Sequence, residues 1–150
     1  MMSLEEYWKK RDFSKTPEPK GEIEKESKNR FVVHDHYAKK AGHHHDFRLE
    51  MEGVLKSWAV PKGVPEKEGI RHLAIQTEDH PVAYLTFKGE IPEGEYGAGK
   101  VEIFDIGRYK LLEKKDNKII FELQGKKLKG KYVLLKLKRK NQWLIFKAKS

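Results

Sequence analysis

From residue 31 onward apolar and polar positions alternate in short runs, and a period of two reads as β-strands. The predicted strands are 30–34, 43–51, 55–60, 72–76, 85–90, 100–105, 108–113, 118–124, 131–139 and 142–148. Turn signals separate them: Glu52-Gly53, Pro61-Lys62-Gly63, Ile106-Gly107, Lys115-Asp116-Asn117 and Lys140-Asn141. So many short strands at close spacing predict a mostly β protein, a single-domain antiparallel β-barrel over residues 31–150. In 131–140 the alternation sets Lys136, Lys138 and Lys140 against Val133, Leu135 and Leu137. That pattern suits a solvated face guarded by lysines against edge pairing, or a surface that tracks phosphates. Residues 1–30 are mostly charged and read as an N-terminal arm. Its short helical segment lies within 4–13, with Ser3 as N-cap and Glu6 three residues later. The following Ser14-Lys15-Thr16-Pro17-Glu18-Pro19-Lys20-Gly21 forms an extended connector, because two prolines and a glycine bar a helix. Residues 38–41 are the other helical candidate, too short to stand alone.

Charge sharpens this picture. The chain of 150 residues carries a formal +9, which favours polyanionic partners. The excess is C-terminal: residues 106–150 hold 15 Lys/Arg against 3 Asp/Glu, the first 105 hold 17 against 20. Cysteine is absent, which excludes disulfides and thiolate zinc sites and leaves His, Asp and Glu as metal donors. No apolar run approaches the roughly 18 residues of a membrane span. The expectation is a soluble cytoplasmic protein with no membrane partner.

Five of the seven histidines fall between His34 and Glu50. On a strand over 43–51, a period of two places His44, Asp46, Arg48 and Glu50 on one face and His45, Phe47, Leu49 and Met51 on the other. The second set is ordinary core. The first brings together imidazole, carboxylate and guanidinium: the first two bind a borderline divalent cation, and the arginine fork matches phosphate oxygens. The bland alternative is an Asp46–Arg48 salt bridge on a solvated face. His80, held extended before Pro81, offers a further ligand at a strand end. The glycine-rich 89–99 reads as a turn-dense connector with Glu93 and Glu95 at its surface.

The runs FVVHDHYAKKAGHHHDFRLEMEGVLKSWAVPKG and LAIQTEDHPVAYLTFKGEIPEGEYGAGKVEIFDIGRY, led by RDFSKTPEP, resemble the 3′-phosphoesterase module of bacterial ligase D and its stand-alone archaeal relatives. The resemblance covers residues 11–109 through several motifs in the same order. It implies a barrel of antiparallel strands and a manganese-dependent DNA-repair hydrolase of non-homologous end joining, with Zn²⁺ or Co²⁺ as other divalent metals. Such an enzyme trims ribonucleotide- or phosphate-terminated 3′ ends of primer strands to a 3′-OH. The implied metal ligands are His36, Asp46 and His80, and the implied phosphate-binding residues are His44, Arg48 and Tyr84. Arg11, Asp12 and Glu18 match supporting residues of the arm, and Glu78 and Lys62 match further active-site positions. The spacing from His36 to Asp46 is two residues longer than in the bacterial modules, so His34 or His43 could take the place of His36. His34 and His72 stand where the bacterial pattern tends to have Gln and Arg. DNA 3′ ends are the expected partner, with a DNA ligase or polymerase acting in trans. The competing reading is a non-catalytic basic barrel that binds DNA ends or single strands, stacking bases on Trp58, Tyr84, Tyr96 or Trp143.

Overall fold

The structure, a computed structural model, describes residues 3–149. Helix α1 spans Leu4–Lys9, and the Ser3 hydroxyl caps it by accepting the Glu6 N–H at 3.3 Å. Nine strands follow: β1 Arg30–Ala38, β2 Gly42–Met51, β3 Val54–Val60, β4 Arg71–His80, β5 Gly89–Ile91, β6 Gly99–Lys115, β7 Lys118–Gln124, β8 Lys129–Lys136 and β9 Gln142–Lys147. They form one antiparallel sheet in the order β1-β2-β3-β4-β9-β8-β7-β6-β5. Strand β1 also pairs with β6, so the pairings of eight strands return to their starting point and β5 extends from β6. Among the described residues no helix is long and apolar enough to cross a membrane.

Strand pairing positions the site through the same period of two that the sequence shows. In β1 and β2, Phe31, Val33, Phe47 and Leu49 enter the large core with Trp58, Phe121, Tyr132 and Ile145. Their sequence neighbours turn to the other side of the sheet. There Val32 and Leu55 meet Leu4 and Tyr7 of α1 and Tyr84 and Leu85 of the 3₁₀ turn Val82–Thr86. The arm therefore packs against the domain, and the Tyr7 hydroxyl and the Trp8 indole N–H donate to the carbonyls of Pro19 and Lys20, folding the connector back over α1.

Four local expectations are corrected. Residues 82–86 form the 3₁₀ turn and only Gly89–Ile91 are strand, because the turn buries Val82, Tyr84 and Leu85 together. The predicted turn at Ile106-Gly107 lies within the unbroken 17-residue β6. Gly107 serves close approach there, since a Cβ would lie 2.4 Å from the Gln124 carbonyl oxygen. The strand predicted over 131–139 ends at Lys136, and within β8 it is Tyr132 and Leu134, on the side Lys136 shares, that enter the large core. Residues 38–41 close the β1–β2 hairpin and form no helix. The Glu52-Gly53 turn is as expected, with φ of 57° and 82° in the hairpin geometry of two positive values.

Asp105 carries weight that the pattern conceals. It is 4% exposed and accepts four backbone N–H groups: Ile106 and Lys126 at 3.0 Å, Lys127 at 3.1 Å and Leu128 at 2.8 Å. Asp105→Ala strands those donors and is expected to cost roughly 2–4 kcal/mol in urea unfolding. A loss under half a kilocalorie would refute this role.

Candidate metal and phosphate site

The β1–β2 register sets His36 opposite His44 and His34 opposite Asp46. The side chains of His36, His44 and Asp46 form the floor of a cavity of about 630 Å³ on the arm side of the sheet. His36 Nδ1 lies 3.1 Å from Asp46 Oδ2, and His44 Nε2 lies 3.1 Å from Asp46 Oδ1. Donor atoms of these three residues all fall within 4.8 Å of one another, the group among the described residues that could hold a metal ion.

The remaining ring nitrogens decide how these imidazoles present themselves. His36 Nε2 is 2.7 Å from the Gly97 carbonyl and His44 Nδ1 is 3.1 Å from the Gly42 carbonyl. A carbonyl only accepts, so each of those nitrogens carries the proton, and each free lone pair points at a carboxylate oxygen of Asp46. Acceptor faces acceptor unless a second proton or a cation lies between. For His44 the second proton serves: burial alone would lower its pKa, but the hydrogen bond and charge of Asp46 outweigh this and raise it. A divalent cation would satisfy both rings and the carboxylate at once, and imidazole with carboxylate suits manganese or zinc. Asp46 stays ionised well below the usual carboxylate range: burial opposes this, and the close approach of the His36 and His44 rings and the charge of Arg48 overcome it.

His80 repeats the arrangement from β4. Its Nδ1 lies 2.9 Å from the Glu78 carbonyl, which leaves the Nε2 lone pair facing the cavity, where Arg11 Nη2 approaches to 3.5 Å. Burial, then Arg48 and Arg11, hold this ring neutral. It lines the cavity but is not part of the three-residue cluster.

Arg48 is 4% exposed and its ion pair with Asp46, at 3.6 Å, is buried rather than solvated. Its Nε donates to His34 Nδ1 at 3.2 Å, and His34 Nε2 donates in turn to the Phe87 carbonyl at 3.0 Å. Both nitrogens of His34 are thus engaged, and it serves to orient the guanidinium. His43 pairs with Asp35 and stacks on Tyr37 at 4.2 Å, and His45 also bonds Asp35; neither lines the cavity. Glu50 is held by a fork from Arg30 at 2.8 and 3.1 Å, apart from this group.

The arm closes the cavity's other side. Arg11 donates to Glu18 Oε2 at 3.0 Å and to Glu78 Oε1 at 3.3 Å, and Glu78 also pairs with Lys10 at 3.0 Å. Glu18 accepts the Tyr84 hydroxyl at 2.7 Å, and the Arg48 guanidinium lies 4.9 Å from the Tyr84 ring centroid. Of the residues singled out by sequence, His36, His44, Asp46, Arg48, His80, Tyr84, Glu78 and Arg11 line the cavity, with Glu18 behind them. Asp12 and Lys62 lie outside the lining: Asp12 is exposed and binds the Ser14 N–H and hydroxyl, and Lys62 is exposed in the β3–β4 connection. Lys10 and the loop carbonyl of Gly97 went unrecognised in the sequence; nothing local marks either.

His34 gives the fold a pH signature. Burial first, then the charge of Arg48, lowers its pKa from 6.5 to about 3. The unfolded chain therefore takes up a proton that the fold refuses, and the stability His34 confers is complete above pH 6.5 and is lost as pH falls toward 3. His34→Gln keeps one acceptor for Arg48 and one donor for Phe87 without titrating. Between pH 6.5 and 5 it is expected to flatten the stability slope by up to about 1.4 kcal/mol per pH unit in denaturant titrations. An unchanged slope would show that His34 titrates freely.

Comparison with known proteins bears on this geometry. The family model of the DNA Ligase D 3′-phosphoesterase domain matches residues 34–136. The multifunctional non-homologous end joining protein LigD of Mycobacterium bovis is 44% identical over 98% of this chain and 20% of its own length. Its namesake from Mycolicibacterium smegmatis is 46% identical over 97% and 20%, and that of Pseudomonas aeruginosa 41% identical over 97% and 18%. The chain thus spans about a fifth of the length of these curated relatives.

Proposed function

The chain belongs to the DNA ligase D 3′-phosphoesterase family, and from that premise we propose that it is a metal-dependent phosphoesterase that processes DNA 3′ ends for repair by end joining. It cleaves a 3′-terminal ribonucleoside from its phosphate, then removes the 3′-phosphate so exposed, and leaves a 3′-OH for a DNA ligase or polymerase. The observation that carries this reading is the pair of imidazole nitrogens, of His36 and His44, converging on Asp46 beside the oriented guanidinium of Arg48.

His36 and Asp46 would hold the metal, manganese by preference, and His80 would supply a neutral lone pair from across the cavity. When bound, the cation supplies Lewis-acid stabilisation of charge building on the phosphoryl oxygens. The chain's own groups do the rest. Arg48 grips phosphate oxygens with the guanidinium nitrogens that His34 leaves free. The Tyr84 hydroxyl, aimed by Glu18, turns from that carboxylate to the phosphate when substrate enters. His44, whose pKa is raised by Asp46, remains protonated and, as water attacks phosphorus, gives its proton to the departing oxygen, the ribonucleoside 5′-oxygen in the first step and the primer 3′-oxygen in the second. Arg11 and Lys10 keep Glu78 ionised and hold the arm over the site.

The test is a primer-template ending in one 3′ ribonucleotide, or in a 3′-phosphate, incubated with and without Mn²⁺. Shortening or dephosphorylation to a 3′-OH product is the expected result. Retarded mobility with no product under any divalent metal would replace this reading with the basic DNA-end binder.

A further inference from the structure

The cavity is larger than a phosphate requires, and its wall changes character away from Asp46. Ala38, Ala41, Ile91, Tyr96, Gly97 and Ala98 line the cavity there, interleaved with Lys39, Lys40, Glu93 and Glu95. Tyr96 stands out among them. It is 47% exposed, where most large aromatics of this chain are buried.

The loop carrying Tyr96 is anchored rather than free. Glu95 N–H donates to the Pro92 carbonyl at 3.1 Å and Ala98 N–H to the Glu95 carbonyl at 3.1 Å. The Gly97 carbonyl accepts the His36 Nε2–H at 2.7 Å, which couples the residue beside Tyr96 to the candidate metal site. A positive φ of 77° at Gly97 allows that carbonyl to turn inward. From the arm, Lys10 Nζ and Arg11 Cζ lie 4.7 and 5.1 Å from the Tyr96 ring centroid and hold the ring by cation–π attraction. An exposed aromatic would otherwise hop rotamers; this one is fixed at the mouth of a cavity whose floor binds phosphate.

Resting on the phosphoesterase reading, we propose that Tyr96 is the stacking platform for the base of the 3′-terminal nucleoside. The phosphate would sit on Arg48 while the base lies against the Tyr96 ring, beside Ala38, Ala41 and Ala98. A π-face accepts any base, which gives grip without sequence preference, as an end-processing site needs. The bound base also fixes the sugar between ring and phosphate, and so positions the scissile bond.

The test uses the full chain and a primer-template whose 3′-terminal ribonucleoside carries 2-aminopurine, a base whose fluorescence falls when it stacks. The signal is read without divalent metal, at saturation verified by anisotropy. Expected is a fluorescence drop with the wild type, retained by Tyr96→Phe and lost in Tyr96→Ala. With Mn²⁺, Tyr96→Ala is expected to raise KM about fivefold to a hundredfold, the range of base–aromatic stacking losses. A primer ending in an abasic ribose should show no such difference between wild type and Tyr96→Ala. Equal quenching in wild type and Tyr96→Ala, or a KM unmoved by the substitution, overturns the proposal. Quenching that depends on Tyr96 with no product under any divalent metal supports the platform while removing the hydrolase reading.

Discussion

Asp46→Asn is expected to lower metal-dependent kcat/KM by about a thousandfold or more, the upper range for losing one preorganised group at a charge-stabilising centre. Two imidazole nitrogens meet its oxygens, His36 Nδ1 and His44 Nε2, at 3.1 Å each. Asp46 accepts from His44 once that ring takes up its second proton, but it cannot satisfy the His36 lone pair, so the arrangement calls for a cation between them. Asparagine has nearly the same shape but turns an N–H toward one of the imidazoles, and so closes a neutral hydrogen bond where the cation belongs. Two measurements separate this from a folding defect. Free Mn²⁺, followed by its paramagnetic resonance signal, should no longer be taken up by a variant whose circular dichroism is unchanged. The His44 ring should also titrate lower, because the Asp46 carboxylate that raised it is gone and burial then dominates. Full activity at saturating manganese would sink the assignment.

The face on which this chemistry sits was legible because β2 obeys a strict period of two. Phe47 and Leu49 mark one side as core, and that assigns Asp46 and Arg48 to the other. Two apolar residues thus located two polar ones. His36 joins them by a local rule as well, since the β1–β2 hairpin pairs it directly with His44. The arm's place at the site was legible only by resemblance. Arg11 meets Glu78 across 67 positions of sequence, and Glu18 meets Tyr84 across 66. No local periodicity encodes a contact of that span; it arises from α1 packing its Leu4 and Tyr7 against Tyr84. His34 illustrates the remaining ambiguity. Sequence spacing leaves it eligible as a ligand, and only the cross-strand placement of Arg48 and the carbonyl of Phe87 shows both nitrogens engaged. The β6 strand fails for the opposite reason: Gly107 looks like a turn residue, yet its lack of a Cβ serves contact with β7.

Arg48→Lys, which keeps the charge, is expected to lower kcat roughly a hundredfold to a thousandfold, because it discards geometry that charge alone does not replace. A lysine offers one point of charge in place of a planar fork and has no Nε–H to give His34 at 3.2 Å. It also gives up the guanidinium contact with the Tyr84 ring, 4.9 Å from its centroid. His34 touches no substrate in this account; it positions Arg48, and its own substitution should be costly only while Arg48 is present. His34→Ala is expected to lower kcat about tenfold to a hundredfold in the wild-type background, as losses of orienting groups do. In the Arg48→Lys background the same change should cost little, so the two effects are far from additive. His34→Gln should restore most of the activity, because its amide can accept from Arg48 and donate to Phe87 as the neutral imidazole does. A purely structural His34 would predict a different pattern: independent losses in both backgrounds that follow thermal stability rather than kcat. Additive effects in that cycle would therefore remove His34 from the phosphate-binding apparatus and leave Arg48 to be oriented by Asp46 and Tyr84 alone.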